Sequence, residues 1–174
     1  MSFIDTPDHY PYAWYLRPLL FLLRRKTGSL SPAVRLWGRA PSAFLAFLWM
    51  WRSLDRRASP LGAKLRALIR TRISQLDVCA FCIDLNGSRA LELGVSQDKL
   101  LALAESADSP LFDEAEKAAL AFAETITITG RKVDAALMAR LKQHYSDDAI
   151  VELAALIAHQ NLSAKFNTAL GVQT

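Results

Sequence analysis

Helical periodicity runs through nearly all of this 174-residue chain and strand-type alternation is nowhere sustained, which points to an all-α fold. The run Thr125-Ile126-Thr127-Ile128-Thr129 sits at the end of a helical stretch and is too short to change that reading. The spacing predicts helices over 13–26, 32–37, 42–57, 60–75, 80–93, 97–104, 113–127, 134–143 and 147–169. Ser31-Pro32 and Ser59-Pro60 each place a hydroxyl cap before a proline at the first helical position, where its missing N–H does no harm. Ser109-Pro110 reads as the turn that feeds Asp113. Gly94 reads as a left-handed terminator followed by the cap Ser96, and Ser146 as the cap of the last helix, with Asp147 and Asp148 at the positive end of its dipole.

The chain's two cysteines fall together in Cys79-Ala80-Phe81-Cys82. Positions i and i+3 share a helix face, so the sulfurs can close a small disulfide ring or grip one ion. A structural zinc site wants four ligands, and His9, His144 and His159 are single residues that form no second ligand pair, so no metal or cofactor is expected. A redox dithiol is the expectation, with two inert buried thiols as the alternative. Leu68, Ile69, Ile73, Leu76 and Val78 run apolar into the cysteine helix, predicting a helical hairpin that buries this face and leaves Arg66, Arg70 and Arg72 more solvated. With Asp77 or Val78 as the cap, Cys79 falls in the first turn, where free N–H groups and the helix dipole favour a thiolate. Asp84 is a candidate base or thiol tuner, a solvated carboxylate near a helix start being the alternative. Asn86, seven residues past Cys79 on the same face, can hydrogen-bond but carries no proton at neutral pH. Phe81 reads as core packing.

A hydrophobic content of 52% and a mean hydropathy of +0.13 exclude disorder and indicate one compact domain. The first residues carry no basic region followed by an apolar run, so no secretory signal is read and the cytoplasm is expected; a lone CxxC there is catalytic rather than structural. The apolar runs at 18–23 and 43–51 fall well short of a membrane span. The second, edged by Arg39 and Arg52, is apolar nearly all round and reads as a buried helix or subunit interface rather than a membrane-surface helix. The net charge of +4 hides 14 Lys/Arg against 5 Asp/Glu in residues 1–89, and 7 against 12 in 90–174. With no nucleic-acid motif, no nucleic-acid partner is expected. The basic half is read as packing on the acidic half, within one chain or between subunits.

The run Leu65-Arg66-Ala67-Leu68-Ile69-Arg70-Thr71-Arg72-Ile73-Ser74-Gln75-Leu76-Asp77-Val78-Cys79-Ala80-Phe81-Cys82 resembles the core of the alkylhydroperoxidase D-like, or carboxymuconolactone decarboxylase-like, superfamily. Glu116 to Glu124, Val151-Glu152-Leu153 through Asn161, and Phe166-Asn167 are similar to its later helices, so the resemblance spans about 39–171. It implies a helical bundle with the CxxC at the start of a helix over 39–174 and assembly as a homo-oligomer; residues 1–38, outside the resemblance, read as an N-terminal arm and helical extension. In the peroxidase branch the cysteines reduce a peroxide or a peroxiredoxin partner. The resemblance makes Cys82 peroxidatic and Cys79 resolving, opposite to the dipole argument. That branch also carries a Glu twelve positions before the first cysteine and a His four after the second as a proton relay; Ala67 and Asn86 stand there in this chain. General acid–base catalysis of about 10²- to 10⁴-fold is therefore missing unless another group supplies it. Asp84 and His159 are the ionisable candidates, a hydrogen-bonded core His being the alternative for the latter, while Glu124 and Glu152 read as partners for basic residues.

The expected function is thus a thiol-dependent oxidoreductase acting on a small-molecule peroxide or a disulfide partner, with a peroxiredoxin or dithiol reductant. One alternative is a non-enzymatic helical oligomer or slow redox sensor, favoured by the missing relay. Another is a decarboxylase-like enzyme on a lactone acid, in which the cysteine pair has no task.

Overall fold

The computed structural model describes residues 2–7 and 9–172, and those residues contain helices and no strand. A 3₁₀ turn at Trp14–Leu16 leads into α1 (Arg17–Thr27), followed by α2 (Pro32–Trp37), α3 (Pro41–Leu54), α4 (Ala63–Leu76) and α5 (Ala80–Glu92). The chain continues through α6 (Gln97–Leu101), a 3₁₀ turn at Ala102–Glu105, α7 (Glu114–Thr127), α8 (Ala135–Lys142) and α9 (Asp147–Ala169). Ser31, Ser96 and Ser146 cap as their sequence context predicts, each hydroxyl accepting the N–H three residues on. Gly94 takes a φ of 81°, the left-handed terminator position.

Ser59 departs from expectation. α4 begins three residues beyond Pro60, behind Gly62, because the Ser59 hydroxyl is engaged elsewhere: it accepts the Leu61 N–H at 3.1 Å and donates to Glu152 on α9. The long first helix is also divided, its opening residues taking 3₁₀ form, and α3 stops at Leu54 rather than 57. Asp55, just past that end, turns its carboxylate toward α4.

α4 is the central helix, packed on α5, α7 and α9. Leu68, Ile69 and Ile73 from α4, Leu120 from α7, and Leu153, Leu156 and Ile157 from α9 are fully buried in one cluster. Each contributes on the order of 1.5–3 kcal/mol by leaving water. Arg66 and Arg70 are buried too, 5% exposed each, against the sequence expectation. Asp55 is the reason: its Oδ1 lies 3.4 Å from Arg66 Nε and 3.0 Å from Arg70 Nη1, while Arg66 Nη1 donates to the Leu61 carbonyl. Arg72 is partly covered and pairs with Glu124 at 2.7 Å, and Arg56 pairs with Glu152. These last two contacts join the basic half of the chain to the acidic half within one molecule, in the roles expected for Glu124 and Glu152.

An aromatic stack ties the N-terminal helices to this core. Phe166 of α9 lies on Trp37 (3.9 Å between ring centroids), Trp37 on Phe47 of α3 (4.7 Å), and Phe47 on the His159 ring of α9 (4.4 Å). α3 is not buried all round as its composition predicts: Phe44 faces inward, whereas Trp49 is 73% exposed and Leu45 and Trp51 are also exposed. The N-terminal arm lies across the end of α9, where the Phe3 N–H donates to the Leu170 carbonyl at 2.9 Å. Arg35 and Arg39 hold it by donating to the Thr6 and Asp5 carbonyls. No helix among the described residues is long and apolar enough to cross a membrane.

Candidate active site

The turn between α4 and α5 brings the cysteines to a helix start. The Val78 N–H donates to the Gln75 carbonyl at 3.1 Å and the Cys79 N–H to the Ser74 carbonyl at 3.0 Å, with Val78 at φ 51°. This is the Schellman pattern of a helix C-terminus, with a valine in the left-handed position that glycine ordinarily takes. The residue that closes α4 in this way also opens α5. Cys79 itself is the N-cap, its Sγ accepting the Cys82 N–H at 3.3 Å, so neither Asp77 nor Val78 caps and Cys79 stands before the first turn rather than in it. Asp77 is drawn instead into ending α4, its N–H bonded to the Ile73 carbonyl, and Val78 points outward, 77% exposed, rather than into the hairpin core.

Cys79 and Cys82 are joined as a disulfide with Cα atoms 5.2 Å apart, and each is 2% exposed. Phe81 covers them together with Ala164 of α9, and Phe81 also packs against Ala33 and Leu36 of α2. The last turns of α9 form the opposite wall. Asn167, 1% exposed, donates its Nδ2–H to Cys82 Sγ at 3.4 Å, and its Oδ1 is buried with no hydrogen-bond partner among the described residues. Nearby, Thr168 Oγ1 donates to the Asp77 carbonyl, and Lys165 Nζ lies 4.0 Å from the Asp77 carboxylate.

Beneath the pair, Ser74 Oγ accepts from Asn86 Nδ2 and from Gln160 Nε2, both at 3.1 Å, and donates to the Arg70 carbonyl at 2.7 Å. Asn86 therefore ties α5 to α4 through Ser74 and does not bond to a sulfur. Asp84 is exposed on α5, and its carboxylate makes no ion pair or hydrogen bond among the described residues. Ala67, at the relay-glutamate position, is buried in the main core. His159 is a core residue, its Nε2 3.1 Å from the Phe47 carbonyl. It lies eight residues from Asn167 on the same helix, about 12 Å along the axis. Burial pushes its pKa below the ordinary value, partly offset by that carbonyl, with Arg70 lowering it further. Burial raises the pKa of Asp77, with Lys165 opposing.

Two groups escaped sequence reasoning. Asp77 is the titratable carboxyl beside the pair, and Asn167 is the side chain that touches a sulfur. The second had a legible signal: Gln160, Ala164 and Asn167 follow i, i+4, i+7 spacing, so two amides fall on the stripe that α9 buries. No group of three or more His, Cys, Asp or Glu side chains suited to a metal ion occurs among the described residues. Chemically, the site is a shielded dithiol/disulfide couple with one amide donor on Cys82 and one backbone donor on Cys79.

The sequence profile of the carboxymuconolactone decarboxylase family matches residues 39–125. The chain is 42% identical over 157 residues to the Escherichia coli (strain K12) protein YnjA, covering 90% of this chain and 86% of that one. Among solved structures it is similar to the debrominase Bmp8 in its apo form, with a TM-score of 0.79 and 26% identity over 99% of this chain and 90% of the other. It has the fold of a peroxidase-related protein from Ralstonia eutropha JMP134 described as an alkylhydroperoxidase AhpD core, with a TM-score of 0.85 at 19% identity, covering 99% and 91% of the two chains.

Proposed function

We propose, for a chain that belongs to the carboxymuconolactone decarboxylase family, a thiol-dependent oxidoreductase activity of peroxidase type carried by Cys79 and Cys82. The observation that carries the reading is the disulfide itself: the two sulfurs stand at a helix start, each facing an N–H donor that stabilises the thiolate on reduction. In the reduced protein the Cys82 thiolate attacks the terminal oxygen of a hydroperoxide. The S–O bond forms, the O–O bond breaks, and the peroxide leaves as an alcohol after taking a proton from water. The Cys79 thiol then displaces hydroxide from the sulfenic acid, giving the disulfide and water, and an external dithiol or peroxiredoxin-type partner reduces the pair again.

Asn86 serves in this scheme by clamping the hairpin through Ser74, and Asp84, exposed on α5 with no contact to a sulfur, as a group that exchanges protons with the water serving the alkoxide. The subunit is proposed to work in the cytoplasm as a homo-oligomer, with the uncovered Trp49 face of α3 as the contact. The likeness to a debrominase favours a second oxidant for the same couple, an organic bromide: the C–Br bond breaks as bromine passes to the Cys82 thiolate to give a sulfenyl bromide, the carbon takes a proton from water, and the Cys79 thiol displaces bromide to close the disulfide. A decarboxylase reading gives the pair no role, and a purely structural reading predicts thiols inert to oxidants.

The test is peroxide treatment of reduced Cys79→Ser and Cys82→Ser proteins with a dione trap for sulfenic acid and intact mass readout. A trapped adduct on Cys82 in the first variant, none in the second, and loss of turnover in both are expected. An adduct only on Cys79 would reverse the roles, and adducts on neither would remove the peroxidase reading.

A further inference from the structure

Asn167 is the polar side chain that α9 brings to the buried sulfur, and thiolate stabilisation occupies only its donor end. Its two ends differ. Nδ2 donates to Cys82 Sγ at 3.4 Å, and Oδ1 is buried without a partner among the described residues. A disulfide sulfur carries no hydrogen, so only the NH₂ end of the amide can face it favourably, which fixes the orientation of the side chain. A buried carbonyl oxygen left unpaired is destabilising, and such groups in folded proteins call for an explanation.

Resting on the peroxidase reading above, we propose that Asn167 is a catalytic residue, holding the Cys82 thiolate with its Nδ2–H and the hydroperoxide O–H with its Oδ1. The amide and an S–O–H group are complementary: N–H to sulfur and O–H to carbonyl close one hydrogen-bonded ring. As the terminal peroxide oxygen moves from the leaving alkoxide to sulfur, its O–H goes on donating to Oδ1, first in the hydroperoxide and then in the sulfenic acid. The same two contacts serve both ends of the step, and no proton crosses the amide. A neutral group thereby orients the peroxide where Ala67 and Asn86 leave no relay, while the leaving alkoxide takes its proton from water. The substrate class that fits is a small hydroperoxide with a free O–H, in a site closed by Phe81 and Ala164, rather than a dialkyl peroxide.

The test uses Asn167→Ala and Asn167→Asp in the full-length Cys79→Ser protein, with thermal melting to verify folding. Asp keeps the size of the side chain and an acceptor but replaces the donor with a charge. Iodoacetamide alkylation followed across pH reads the donor alone. Both variants should raise the Cys82 titration midpoint and slow alkylation at neutral pH by about tenfold, the effect of one hydrogen bond to a charged group. Reaction with tert-butyl hydroperoxide reads both ends, and Asn167→Ala should slow it by about a further tenfold. A merely structural role has the opposite sign, because a loosened pocket exposes the sulfur and speeds alkylation. Unchanged or faster alkylation in both variants would overturn the proposal. If the parent alkylates with an Asn167-dependent midpoint yet ignores hydroperoxide, the peroxidase reading and the Oδ1 role fail while the Nδ2 contact stands.

Discussion

Asp77 and His159 are a carboxyl and an imidazole whose protonation the fold disturbs, in opposite directions. Burial raises the Asp77 pKa, so the fold favours the neutral carboxyl: its contribution is complete below the unfolded value of 3.8 and is lost as pH rises through the raised folded value. Asp77→Asn is therefore expected to raise the melting temperature at pH 7, with the gain disappearing below pH 3.8. His159 is depressed, so its contribution is present above 6.5 and is lost as pH falls through the lower folded value. Melting curves between pH 7 and 5 should show stability falling with acid, and His159→Phe, which retains the stack on Phe47, should flatten that slope. At this scale the sequence made the cysteines plain, since their spacing is itself the chemistry. It left Asn167 unassigned, because contact between residues 85 positions apart depends on how α9 docks on the hairpin.

The helices are where the sequence is most readable, since caps and periodicity are local. Pro32–Trp37 and Asp147–Ala169 fall where their caps and apolar spacing place them. Ser146→Ala should cost about 1 kcal/mol in chemical denaturation, the ordinary value of a lost hydroxyl cap. The misplaced start of α4 was not legible, because a partner on α9, Glu152, diverts the Ser59 hydroxyl from the local cap. Nor was the strain at Val78, where a β-branched residue holds a left-handed φ of 51° in the turn that presents Cys79. Asn tolerates that region better, so Val78→Asn should stabilise the protein by about 1 kcal/mol, read as a higher urea midpoint at unchanged slope. An unchanged or lower midpoint would mean that the turn carries no strain worth relieving.

At the scale of the whole molecule, two features arise only from tertiary packing. One is the pair of buried guanidiniums on Asp55, which helix patterning placed toward solvent. Removing their shared counter-charge with Asp55→Asn should cost about 3–5 kcal/mol, since two cations then stay buried without an anion. The other is the cover over the disulfide that α2 completes, the cluster of Ala33 and Leu36 packing on the Phe81 that lies against the two cysteines. We propose that this cover limits access to the sulfurs, so Leu36→Ala should speed reduction of the disulfide by a small dithiol. The all-helical class and the CxxC hairpin were legible because they follow from periodicity and spacing; the cover was not, because it joins segments far apart in the chain. The proposed activity depends on Cys79 and Cys82 forming a working redox couple. Its most direct test is a thiol-trapping redox titration with intact mass, followed by peroxide oxidation of the reduced protein. A reversible two-electron disulfide with a potential near the cytosolic poise, formed rapidly with hydroperoxide, is expected. Thiols inert to both dithiol exchange and peroxide would contradict it and leave the pair a structural role.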